Sequence, residues 1–308
     1  MARTIAWLAV ALILPGCAGN QLVFEDDGAL AVIPLRIGES GHIMVETTLN
    51  GQGPFEFALD TGASISVVYE QAAAKASIEV TSGEVVRVLG MTSSGSFPLA
   101  EVSQIGLGGE VWNAARVAVL PENSPVAGAI DGILGVDFLS QYAVLYSHEE
   151  RVVRLYPKEL VRENYYDGWN RVDLYKLRIG DAGATVYAFD MIIDATRIPT
   201  LFDLGASVNL MNREAAMSIG IRTPKPREKT DIRGAFGRAI VTTELVVWQL
   251  RITNMRWRHR TFLIGDFPVF DALGLNRMPA AIAGTDLLRK RDFVIDFVRR
   301  RLLVKSKE

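Results

Sequence analysis

The sequence predicts a mainly β fold with a few short helices, organised as two related halves. Three observations carry this: a texture of short alternating runs, one Asp-centred turn that occurs twice, and a matching order of landmarks after each copy. From about Gln21 onward, β-branched and alternating stretches such as HIMVETTLNGQG (42–53) and ARVAVLPENSP (115–125) are separated by turn residues, the pattern of half-buried strands. Helical spacing is confined to four short stretches, VVYEQAAAKA, NLMNREAAMSIG, GVDFLSQY and GTDLLRKR.

The chain has 308 residues, 49% apolar and 22% charged, enough for a substantial core and about two domains. A net charge of -2 gives no reason to expect nucleic acid, which requires concentrated Lys and Arg. The runs Arg289-Lys290-Arg291 and Arg299-Arg300-Arg301 read as solvated strand ends. The three histidines, His42, His148 and His259, are far apart, which leaves little for a His-rich metal site or a Ser/His/Asp set. No metal or cofactor is expected.

The repeat is visible when the chain is aligned with itself. FALDTGAS (57–64) returns as TLFDLGAS (200–207), with Asp60 and Asp203 143 positions apart. Gly90 follows the first Asp at the distance at which Gly234 follows the second, to within one residue, and Trp112 and Trp257 correspond to within two. The halves close alike, GILGVDFLSQYAVLYSHEERVVRLYP against AIAGTDLLRKRDFVIDFVRRRLLVKS, with Gly135 and Gly284 as counterparts. This order predicts a first lobe over 21–158, a charged linker over 159–169 and a second lobe over 170–306.

A strand that ends in Asp and runs into a flexible Gly and small residues puts a carboxylate at the tip of a tight turn. One such turn is common. Two, each followed by an apolar-apolar-Gly segment, resemble the aspartic proteases of the retropepsin-like and pepsin-like clan. The matching residues are Asp60-Thr61-Gly62-Ala63-Ser64 with Ile133-Leu134-Gly135, and Asp203-Leu204-Gly205-Ala206-Ser207 with Ile282-Ala283-Gly284. The resemblance covers nearly all of the chain after residue 20. It implies two retropepsin-like acid-protease β-barrel lobes related by internal duplication, with the active-site cleft between them, Asp60 and Asp203 meeting at its floor, and a peptide or protein substrate.

The implied chemistry has a plain physical basis. Two carboxyl groups about 3 Å apart cannot both ionise cheaply, so they share one proton and titrate as a pair. One takes a proton from a water held between them while the other donates to the peptide carbonyl. Gly62 and Gly205 let the backbone approach the carboxylates, and Ser64 and Ser207 are expected to orient the outer oxygens. Many acid-active relatives carry a hydroxyl residue directly after Asp-x-Gly, which favours the ionised pair. Both copies here, Ala63 and Ala206, lack it, which predicts activity at milder acidity or near neutrality.

Two further features follow from the resemblance. The hairpin flap that closes over substrate falls on Gly90, Met91, Thr92, Ser93 and Gly95 in the first half, and on Ala235 and Phe236, between Gly234 and Gly237, in the second. Neither a flap tyrosine nor a hydroxyl at position 204 is present. In the family the hydroxyl after each Asp reaches across to the opposite loop and locks the two turns together. Leu204 removes half of that lock, at a cost of about 1–3 kcal/mol where a buried acceptor is left unsatisfied. Because the second lobe is tethered in the same chain, the expectation is a specialised half-site rather than a dead one.

Residues 1–17, MARTIAWLAVALILPGC, have an early Arg, an apolar run too short to span a bilayer and small residues before the single cysteine, Cys17. LPGC resembles a bacterial lipobox, which implies lipidation of Cys17, with Ala18 next to it favouring the outer membrane. The alternative is cleavage after Ala18 and release as a soluble periplasmic protein. Either way the protein is expected to be exported, to fold without an internal disulfide, and to need little zymogen control.

Three functional readings remain from the residues: a monomeric peptidase with one intramolecular pair, a non-catalytic module that grips an extended peptide or envelope protein, and a dimer that uses two copies of Asp60.

Overall fold

The computed structural model describes residues 28–90, 94–122, 130–158, 168–179, 184–221, 230–233 and 239–306; the side chains of Ser82, residues 230–233 and Ala239 are not described. The strands form one sheet of thirteen and one of eight. Within each, six strands close into a ring, and the two rings are built in the same order.

In the first half, Ile43–Leu49 pairs with Gln52–Leu59, which runs parallel to Gly132–Leu134; that strand pairs with Val67–Tyr69, and the ring continues through Glu110–Leu120 and Ser94–Leu107 back to Ile43–Leu49. In the second half the corresponding circuit is Ala184–Ile193, Thr196–Phe202, Ala281–Ala283, Asn209–Met211, Met255–Ile264 and Ala239–Ile252. Closing the sheet removes free edges and buries the alternate side chains inside. The burial pattern of Ala31–Ile37, alternating up to its last residue, shows the same period of two in the strand that joins the ring to the rest of the sheet.

The predicted helical stretches become Glu70–Lys75, Arg213–Ser218, Val136–Leu139 and Thr285–Leu288, each shorter than its sequence window because a three-residue strand or a Gly opens the segment. Asn212 caps Arg213–Ser218 by accepting from Ala215 N at 2.8 Å. A fifth helix, Pro268–Ala272, was not anticipated; Pro268 at its start is the residue that favours it there. Both repeat tryptophans pack on the helix after the landmark glycine: Trp112 lies 5.3 Å from Phe138, and Trp257 Nε1 donates to Leu287 O at 3.0 Å.

The last strands of the second half do not belong to its ring. Phe293–Asp296 pairs antiparallel with Tyr142–Ser147 of the first half, extending a sheet that also holds Trp169–Asp173, Arg301–Lys305, Val152–Pro157 and Ala31–Ile37. The two halves are thus stitched by a shared sheet, a feature that the division at 159–169 does not convey. Residues 159–167 lie outside the described residues, and Trp169 already begins a strand. The shared sheet reaches the second Asp turn through aromatic packing: Tyr146 stacks on Phe293 at 4.7 Å, and Phe293 meets Phe202, the residue before Asp203, at 6.4 Å. Among the described residues no helix is long and apolar enough to cross a membrane.

Candidate active site

Each Asp turn is positioned by the strand before it and by the apolar-apolar-Gly segment that crosses behind it. Leu59 and Phe202 end buried strands whose parallel partners are Leu134 and Ala283. Asp60 N then donates to Leu134 O at 3.0 Å, and Val136 N returns to Ala63 O at 2.8 Å. The second half repeats this with Asp203 N to Ala283 O at 3.1 Å and Thr285 N to Ala206 O at 2.8 Å. Gly135 and Gly284 are glycines because of this crossing. A Cβ on Gly135 would stand 2.8 Å from Ala63 O, and one on Gly284 would overlap Ala206 O and Val208 O.

Within each turn the carboxylate folds back on its own backbone. Asp60 Oδ1 accepts from Gly62 N at 2.7 Å and Ala63 N at 3.0 Å; Asp203 Oδ1 accepts from Gly205 N at 2.8 Å and Ala206 N at 3.1 Å. The two turns face each other. A Cβ on Gly62 would come 2.6 Å from Asp203 Cγ, and one on Gly205 would overlap the Asp60 carboxyl. The two carboxyl groups are close enough to interact as a pair.

Burial drives the electrostatics. Asp203 is 8% exposed, and loss of solvation, reinforced by the charge of Asp60, pushes its carboxyl well above the usual range. Burial also raises Asp60, against the opposing pull of the Gly62 and Ala63 amides, the Asp203 contact and the nearby His42. The pair therefore holds one proton more readily than isolated carboxyls would.

Thr61 supplies the lock seen from the first side. Its Oγ1 donates to Phe202 O at 2.8 Å and accepts from Leu204 N at 3.0 Å, and the residue is fully buried. Leu204 returns no such bond; it is 3% exposed and fills the core instead. The serines lie in the turns, half-buried, but among the described residues neither the Ser64 nor the Ser207 hydroxyl bonds to a carboxylate. What orients each carboxyl instead is the pair of main-chain amides on its Oδ1, fixed by the turn itself.

A second pair of residues braces the turns and was missed from the sequence. Ser66 Oγ accepts from Gly135 N at 3.0 Å and donates to Asp137 Oδ1 at 2.7 Å. Asn209 Oδ1 accepts from Gly284 N at 3.1 Å while its Nδ2 donates to Asp286 Oδ2 at 3.3 Å. Burial raises the Asp137 carboxyl, offset by its bonds from Ser66. The signal was available: Ser66 and Asn209 stand six residues after the aligned aspartates, and Asp137 and Asp286 two after the aligned glycines.

The predicted first flap is the end of a hairpin. Val80–Leu89 and Ser94–Leu107 pair antiparallel up to Leu89 opposite Ser94 and Val88 opposite Gly95, with Gly90 following the strand. Met91, Thr92 and Ser93 lie outside the described residues. Leu89 packs against an apolar cluster of the second half that includes Leu201, Ala206, Phe267 and Phe270, so this hairpin reaches across between the halves. In the second half Thr230–Arg233 and Ala239–Ile252 form the corresponding hairpin, with Arg233 opposite Ala239. Its tip, with Gly234, Ala235, Phe236 and Gly237, lies outside the described residues, as does Cys17.

A comparison with curated proteins finds no match to this chain. A family model described as Aspartyl protease matches it twice, over residues 45–138 and again over residues 189–287. Each match contains one Asp turn, its crossing segment and most of one ring, and together they cover more than half of the sequence. The chain belongs to the aspartyl protease family, as an aspartic-type peptidase with one family unit in each half.

Proposed function

We propose that the protein is an aspartic endopeptidase that works as a monomer, with Asp60 and Asp203 of one chain as its reacting pair. The observation that carries this reading is the facing of the two turns, in which each carboxyl lies over the other turn's glycine. Burial raises both carboxyls, so the pair shares one proton and either member can carry it; with the proton on Asp203, Asp60 is the base. Water attacks the peptide carbonyl carbon, its proton passes to Asp60, and the Asp203 proton passes to the carbonyl oxygen. Collapse of the resulting diol breaks the C–N bond as the Asp60 proton goes to nitrogen and a hydroxyl proton returns to Asp203. The pair ends as it began.

The substrate is an extended segment several residues long. The hairpin ending at Leu89 reaches across between the halves, and the half-buried Ile65 and Ile133 beside the first turn favour apolar residues near the cut. The lipobox-like LPGC supports a position on the periplasmic side of a bacterial envelope, held to the outer membrane through Cys17, and a tethered enzyme of that kind suits regulatory cutting of envelope proteins better than bulk digestion. Incubation with a broad peptide library is the test. New termini should appear with the wild type and vanish with Asp60→Asn; peptides retained but never cut would identify a binding module instead.

A further inference from the structure

The turn 38–42, between Ala31–Ile37 and Ile43–Leu49, reaches from the first half into the Asp203 turn. It is closed on itself by Gly38 N to His42 O and Gly41 N to Gly38 O, both 2.9 Å. Gly41, at φ +90°, is clamped from the second half: its carbonyl accepts from Thr285 Oγ1 at 3.1 Å, and a Cβ there would stand 3.4 Å from Ser207 Cβ. This clamp delivers a half-buried histidine. His42 Nε2 is 2.8 Å from Gly205 O, and its Nδ1 is 2.6 Å from Ser40 Oγ.

The partners fix the proton positions. A carbonyl oxygen only accepts, so Nε2 carries a hydrogen and donates. The Ser40 hydroxyl suits Nδ1 in either state, donating to the neutral ring or accepting from the imidazolium.

The carbonyl it grips is not an incidental one. Gly205 C=O and Ala206 N–H belong to the same rigid peptide plane and point opposite ways. That N–H donates to Asp203 Oδ1 at 3.1 Å. A donor on the oxygen fixes the plane's rotation and polarises the amide toward the carboxylate on its far side. The position that would otherwise tie the turns from the second side is the apolar Leu204.

We propose that His42 is a positioning residue: through Nε2–H···O=C of Gly205 it holds the Gly205–Ala206 peptide plane on the Asp203 carboxyl, a tie from the 38–42 turn of the first half to the Asp203 turn, where Leu204 makes none. The inference rests on Asp60 and Asp203 being the reacting pair. The charged or titratable groups on the elements packed here are those two carboxyls, the exposed Glu39 on the same turn, and Asp286 and Arg289 on and after Thr285–Leu288, whose mutual distance is 3.9 Å. His42 also favours the ionised form of Asp60.

The test uses the full-length protein with His42→Leu, which removes the donor, and His42→Gln, whose terminal amide keeps one at similar reach. Two readouts are taken: kcat and KM on a cleaved peptide, and the titration of the Asp203 carboxyl followed by carbon NMR. Expected for His42→Leu is a kcat about 10–100-fold lower with KM little changed, and an Asp203 titration moved to higher pH; His42→Gln should return both toward wild type. If His42→Leu does not fold, His42→Asn, too short to reach Gly205 O, carries the same expectations. Unchanged kcat, or a Gln variant as impaired as the Leu variant, overturns the proposal. If the wild type cuts nothing, the proposed function has failed while the titration still decides this inference: an unmoved Asp203 contradicts it.

Discussion

Gly62 lies so close to Asp203 that a Cβ on it would stand 2.6 Å from the carboxyl carbon, and Gly205 stands in the same relation to Asp60. A methyl group at either position has to push the opposite carboxylate away. Gly62→Ala and Gly205→Ala should each lower kcat by about 100-fold or more, the cost of a displacement near 1 Å at a reacting group, and destabilise the fold by about 1–3 kcal/mol. Steady-state kinetics with denaturant unfolding checks this; a wild-type kcat in either variant would mean that the turns do not face each other this closely.

The hydroxyl of Thr61 satisfies two buried main-chain groups at once, Phe202 O and Leu204 N. Thr61→Val keeps the shape and removes both bonds, so it should cost about 1–3 kcal/mol for each orphaned group. Urea denaturation measures it. A loss below about 0.5 kcal/mol would show that water or another group replaces the hydroxyl.

Stability should depend on pH through the same pair. Asp203 is raised in the folded protein, so the stability it contributes is complete below the unfolded value of about 4 and is lost as pH rises through the folded value. Asp203→Asn removes that loss. The melting temperature of this variant minus that of the wild type should therefore grow as the pH rises above about 4, and a constant difference would contradict the raised carboxyl.

The landmarks that were legible in the sequence are those whose spacing repeats. The two Asp turns, Gly135 and Gly284, and the hairpins that follow them could be read because duplication wrote each constraint twice. Ser66 and Asn209 were equally readable by offset, yet their residue types differ and the eye passes over them. The shared sheet was not legible: Phe293–Asp296 reads as a fully buried strand, but nothing local states that its partner is Tyr142–Ser147 of the other half. His42 is the extreme case, since its partner Gly205 lies 163 positions away and the turn that carries it has no described counterpart in the second half.

Ala63 and Ala206 offer no hydroxyl beside the carboxylates. Ala63→Ser adds a donor that favours the ionised pair, so the pH–rate profile should move toward acid by about one unit, the equivalent of ~1.4 kcal/mol. The wild type itself should be active at mild acidity or near neutrality. A wild-type optimum near pH 3, between the two values of the pepsin pair, would contradict this.

Whether Asp60 and Asp203 share one proton within a single chain is decided by cleavage assays on Asp60→Asn, Asp203→Asn and their equimolar mixture. Each variant should lose cleavage by about 10²–10⁴-fold, with no recovery on mixing. Retained cleavage by Asp203→Asn would contradict that pairing and assign the chemistry to two copies of Asp60 in a dimer.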